Sequence, residues 1–145
     1  MTGVRRRCAR KTEAMDDVIL RAIDAVTVPV PDLDSGLAFY RDRLGHRLLW
    51  RNDAVGQAGL AMPDGDSELV LTTRQAYEPD WLVTSVPDAV AALVAAGGSV
   101  TTDPVETPVG RAAVVADPFG NALVLVDLSK GRYRELDPDT GQAIS

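Results

Sequence analysis

The chain has one cysteine and one histidine among 145 residues. A lone cysteine, Cys8, excludes an intramolecular disulfide framework and any multi-cysteine zinc or iron–sulfur site. A lone histidine, His46, excludes any site that needs two histidines from one chain. No apolar run approaches the roughly 20 residues of a membrane-spanning helix, so the sequence does not read as an integral membrane protein. The glycines never form the Gly-x-x-x-x-Gly-Lys pattern of a phosphate-binding loop. Net positive charge is also lacking: the chain carries −6 overall. Residues 1–15 hold Arg5, Arg6, Arg7, Arg10 and Lys11 against Glu13, and sum to +4, which leaves −10 on residues 16–145. So acidic a body argues against nucleic acid, where phosphate contacts dominate affinity, and favours cationic ligands in its clefts.

What is present suits one domain: 46% hydrophobic and 25% charged residues, both ordinary for a soluble globular protein. Residues 1–21 read as a basic, disordered arm, with Met15 as the natural start, and residues 129–145 as a polar tail. Between them the chain repeats itself. Val30-Pro31-Asp32 recurs as Val86-Pro87-Asp88, Pro63-Asp64-Gly65 as Pro118-Phe119-Gly120, and Leu69-Val70-Leu71 as Leu123-Val124-Leu125. Three matches in one order, all offset by about 55 residues, indicate two copies of one unit, near 22–75 and 79–128.

Each unit reads β-α-β-β-β. A strand comes first, Ala25–Val30 or Trp81–Val86. An Asp follows where a helix begins and its carboxylate can cap free N–H groups. Leu33, Leu37, Tyr40 and Leu44 then lie on one helix face, and Gly45 supplies the stop. Val90, Leu93 and Val94 do the same in the second unit, before Gly97-Gly98. Further strands are expected near 47–51, 57–62 and 68–73, and near 99–102, 112–116 and 121–128. The fold class is α+β, with a helix layer on one sheet face and a concavity on the other.

Two segments carry a family resemblance: Val-Pro-Val-Pro-Asp-Leu-Asp-Ser-Gly-Leu-Ala-Phe-Tyr-Arg-Asp-Arg-Leu-Gly at 28–45, and Asp-Pro-Phe-Gly-Asn at 117–121. With the repeat, they make residues 22–128 resemble the vicinal oxygen chelate superfamily of glyoxalase I, bleomycin-resistance proteins and extradiol dioxygenases. The resemblance implies two βαβββ modules forming one curved mixed sheet. Metal enzymes of that superfamily place ligands at positions that align with Ala25, Val70, Trp81 and Val124. None of these residues can hold a divalent metal. The expectation is therefore no metal and no cofactor.

The same positions indicate which side chains face inward. Period-two alternation puts Ala25, Thr27, Glu68, Val70, Thr72, Trp81, Val83, Ser85, Ala122, Val124 and Val126 toward the concavity. Trp81 reads either as a stacking platform for a planar or cationic ligand or as a plug in the metal's place. Glu68, the one inward acid, reads as a general base, a counter-charge or a solvated strand residue. Trp50, Arg51 and Arg111 are further candidate ligand contacts, Arg111 also as the partner of a nearby acid. His46, just past the first helix, is an alternative proton-transfer group.

The expected function is metal-independent binding of a small molecule, as in bleomycin-resistance proteins: sequestration of a cationic or aromatic compound by a cytoplasmic homodimer. The alternative is an enzyme on the same fold. That enzyme would be a lyase or isomerase of a small carbonyl or aromatic substrate, or a metal-dependent glyoxalase or dioxygenase. Neither nucleic acid nor membrane is an expected partner.

Overall fold

A computed structural model describes residues 18–131. The basic arm through residue 17 and the tail from residue 132 lie outside the described residues. No helix among those described is long and apolar enough to cross a membrane.

The elements run β1 (Ala22–Pro29), α1 (Leu33–Leu37), β2 (Leu48–Asn52), β3 (Gln57–Ala61), β4 (Glu68–Thr72), β5 (Glu78–Leu82), α2 (Val86–Ala95), β6 (Ser99–Thr107), β7 (Gly110–Ala116) and β8 (Ala122–Val126). All eight strands form one sheet in the order β2-β3-β4-β1-β5-β8-β7-β6. Reading outward from the antiparallel β1–β5 seam, each side adds a parallel neighbour, β4 or β8, and then two antiparallel strands. The two halves are thus the same β-α-β-β-β unit, related about that seam. The fold is α+β with a mixed sheet and two helices.

Each helix covers its own half of the sheet. Leu33 and Leu37 of α1 pack with Ala58, Leu60 and Leu71. Val86 and Ala89 of α2 pack with Val83, Ala113, Val115 and Leu125. Asp32 caps α1 as expected: its Oδ1 accepts from Ser35 N at 2.7 Å. Beyond Leu37 the helix widens into a π-helical segment, Ala38–Arg43, and Leu44 N donates to Phe39 O, five residues back. The wider turn takes Leu44 off the buried face, where the 3.6-residue period had put it, and leaves it half exposed.

The second unit departs further from expectation. Its first strand is Glu78–Leu82, three residues before the expected start, and α2 already begins at Val86. Ser85, expected in the strand, is the N-cap and accepts from Asp88 N, while Pro87 sits in the first turn. Asp88, expected at the cap, lies in the first turn instead. β6 is longer than expected and ends at Thr107.

A buried carboxylate ties this unit together. Asp127 Oδ2 accepts from Val86 N at 3.1 Å, and Oδ1 accepts from Arg111 N at 3.0 Å and Ser129 N at 3.1 Å. Burial opposes its ionisation, but these N–H groups outweigh burial and hold the carboxyl below the usual aspartate value.

Candidate functional site

The sheet face opposite the helices lines a cavity of about 360 Å³. Its floor follows the strand register. Glu68 on β4 pairs with Ala25 on β1, Ala25 with Asp80 on β5, and Asp80 with Val124 on β8. Val124 pairs with Val114 on β7, and Val114 with Thr102 on β6. Side chains across paired residues share a face, so this row presents two carboxylates among apolar groups. Glu78, two residues before Asp80 on the same face, lies opposite Thr27. Asp24 also lines the cavity, although its neighbour Ala25 does too. The register shift between Ile23 and Ala25 breaks the alternation there.

The lining is chemically lopsided. Val70, Val105, Val109, Ala112, Val126 and Leu128 supply apolar wall, and Gln57 and Gln75 supply amides. The titratable side chains are Asp24, Glu68, Glu78 and Asp80; no Lys, Arg or His among the described residues lines the cavity. Asp80 is pushed up to about 7, first by burial and then by the charges of Glu78 and Asp24.

Trp50 and Glu68 form a built pair. Glu68 is only 6% exposed and its Oε1 accepts from Trp50 Nε1 at 2.7 Å. Gly59, opposite Trp50, makes room: any β-carbon there would collide with Trp50 Nε1 and lie 2.8 Å from Glu68 Oε1. Thr27 is buried at the cavity wall, and its hydroxyl donates to Ala76 O at 2.6 Å. Thr72 Oγ1 accepts from Arg74 N and Gln75 N, both at 3.2 Å. The two threonines thereby hold the β4–β5 connection over one end of the cavity.

Of the residues singled out from sequence, the cavity brings together Ala25, Thr27, Trp50, Glu68, Val70, Val124 and Val126. The others lie elsewhere. Trp81 packs against the α2 core cluster, and its Nε1 is buried with no hydrogen-bond partner among the described residues. The early start of β5 and the bulge on β1 put Asp80, not Trp81, opposite Ala25. Val83 is in the same core cluster, on the helix side. Ser85 caps α2, and Thr72 lies beneath the connection it holds. Arg51 bonds Asp34 on α1 at 2.9 Å and Asp53 at 2.8 Å, away from the cavity. Arg111 pairs with Glu106 at 3.2 Å. His46 borders a separate cleft with Arg47, Met62 and Asp66, and its Nδ1 lies 2.9 Å from Ala61 O.

Sequence reasoning missed Asp24, Gln57, Gln75, Glu78 and Asp80. The available signal was Glu78-x-Asp80 in front of Trp81-Leu82-Val83, an acidic pair at strand spacing.

The cavity does not suit a protein-held divalent metal. Ala25, Val70 and Val124 offer no donor atom, and Trp81 faces away. Among the described residues no three His, Cys, Asp or Glu side chains are grouped closely enough to hold one.

The sequence pattern of the Glyoxalase/Bleomycin resistance protein/Dioxygenase superfamily matches residues 22–125. No curated protein matches the chain. Among solved structures, methylmalonyl-CoA epimerase from Mycobacterium tuberculosis is similar at TM-score 0.58 and 20% identity, over 75% of this chain and 89% of that one. A single-substitution variant of Streptomyces coelicolor methylmalonyl-CoA epimerase, in complex with 2-nitronate-propionyl-CoA, is similar at TM-score 0.59 and 22% identity, over 79% and 99%. A hypothetical protein from Bacillus halodurans C-125 is similar at TM-score 0.59 and 18% identity, over 73% and 93%. At these identities the likeness is one of fold. The fold, the duplicated unit and the matched pattern agree: the chain belongs to the Glyoxalase/Bleomycin resistance protein/Dioxygenase superfamily.

Proposed function

We propose that this chain binds a small cationic organic molecule in its sheet cavity, without a metal, and acts by sequestration. One observation carries the reading: Asp24, Glu68, Glu78 and Asp80 line an otherwise mostly apolar cavity that no Lys, Arg or His among the described residues enters. Carboxylates with low-dielectric walls concentrate positive charge. The apolar side would take a hydrocarbon or aromatic body, with Trp50 as its aromatic neighbour. The same lining disfavours a coenzyme A thioester, whose phosphates need cationic partners. A homodimer is part of the reading, supported by β6, an edge strand with no further strand beside it among the described residues and with Val100 exposed. Sedimentation of the full chain tests that part.

The deciding experiment is calorimetric titration with phenethylamine and with phenethyl alcohol, which keeps the shape and drops the charge. Charge-assisted contacts are worth roughly 1.5–3 kcal/mol, so the amine binds at least about tenfold tighter. Equal affinity would sink the reading.

A second reading, a metal-free isomerase or lyase, is favoured by Asp80, a carboxyl held near neutrality inside the cavity. Recovery of a bound amine chemically unchanged after long incubation favours sequestration. Protein-dependent exchange of its carbon-bound protons for deuterium, lost in Asp80→Asn, favours the enzyme.

A further inference from the structure

The carboxylates are unevenly spread within the cavity, and the spread assigns them different tasks. Glu68 is committed to Trp50 through the 2.7 Å bond, with Gly59 clearing the space beneath. Asp80 stands at the centre of the floor, between Ala25 and Val124. Among the described residues, every element packed around it presents to the cavity either an acid or nothing titratable. β1 brings Asp24, its own strand brings Glu78, and β4 brings Glu68 beyond Ala25. β8 brings Val124, and β7 and β6 bring Val114 and Thr102.

We propose that Asp80 is a proton-exchange residue: an organic monocation enters the cavity by displacing the proton that Asp80 carries in the empty protein. The inference rests on the cationic-ligand reading and adds how that site is regulated. The geometry supplies the cause. Asp80 lies partly buried in the apolar cavity with Glu78 and Asp24 as its charged neighbours, so its own charged form is costly there. Its shift to about 7 follows from that placement. An ammonium beside Asp80 reverses the balance, because it favours the charged form. The step balances: one cation binds, the Asp80 O–H bond breaks, and one proton passes to solvent. The cavity therefore holds nearly the same charge before and after loading.

The sign follows from linkage. Below about pH 7 binding must expel the proton, so affinity falls up to about tenfold for each unit of acidification and levels off above about pH 8. The ligand is held in a neutral medium and released in an acidic one.

Calorimetry with phenethylamine, whose ammonium stays charged throughout, tests this between about pH 5.5 and 8. Repeating it in buffers of different ionisation heat counts the protons released. For the native chain the expected result is close to one proton per amine near about pH 6, and an affinity that rises about tenfold per unit toward neutrality. In Asp80→Asn the proton release disappears and the affinity no longer depends on pH. In Glu78→Gln, which removes one repelling charge and keeps Asp80, the midpoint moves to lower pH. A native chain that binds phenethylamine with no proton release, or with the same affinity at both ends of the range, overturns the exchange and leaves the cationic-ligand reading standing. Failure to bind phenethylamine at any pH overturns both.

Discussion

Replacing Asp80 by Asn should make the protein more stable, and only at neutral to alkaline pH. The folded carboxyl titrates near 7, and an unfolded aspartate near 3.8. Between those values the native state holds a proton that the unfolded chain has lost, so raising pH favours unfolding. The difference of about three units corresponds to a ceiling of about 4 kcal/mol, fully expressed above about pH 7 and absent below about pH 4. Partial hydration and salt reduce it, so a gain of about 2–4 kcal/mol at about pH 8 is expected. Asparagine keeps the shape and never ionises, so it escapes the whole penalty. For a domain of this size the melting point should rise by roughly 10 °C at about pH 8 and hardly change near about pH 4.5. Thermal unfolding followed by circular dichroism across that range is the assay. A rise of equal size at every pH, or a fall at about pH 8, would refute the placement of Asp80 among Asp24 and Glu78 in an apolar cavity.

Three more outcomes follow. Asp127→Ala strips acceptors from the N–H groups of Val86, Arg111 and Ser129 and should cost about 3–5 kcal/mol in urea unfolding; since the carboxyl is held below its usual value, the native chain should lose the part of its stability that depends on the ionised form as pH falls below about 4. Gly59→Val should push the Trp50 indole off Glu68, visible as a shift in tryptophan emission and as weakened phenethylamine binding of about tenfold or more, since the side chain would occupy the place of Trp50 Nε1. Trp81→Phe removes a buried N–H that has no partner among the described residues, so stability should stay level or rise by about 1 kcal/mol and phenethylamine affinity should not change; a loss of affinity would place Trp81 in the cavity after all.

The fold was legible because its signals are local and doubled. Val30-Pro31-Asp32 and Val86-Pro87-Asp88 both fall where a strand gives way to a helix, though the second lies three residues further into its helix, and the leucine-valine runs at 69–71 and 123–125 mark the same strand twice. The cavity was only half legible, because inward and outward depend on counting by twos from a fixed origin. In β4 and β8 the origin was right, so Glu68, Val70 and Val124 fall inside. In β5 it was one residue off, and that single slip exchanged Asp80 for Trp81. The cause is physical: a bulge on β1 at Asp24 shifts the pairing, and nothing in a sequence of apolar and acidic residues announces a bulge. The arginines misled for another reason. Arg51 and Arg111 are long enough to reach either face, and nearby acids, Asp34, Asp53 and Glu106, claimed them.

All eight strands of one hydrogen-bonded sheet contribute to the cavity wall, and Thr27 and Thr72 fasten the connection above it. Among the described residues every strand of that wall is hydrogen-bonded to its neighbours, which stiffens it. On the proposed reading, little conformational freedom would be lost when a guest arrives, so discrimination among guests would be expressed in how long each one stays rather than in how fast it enters.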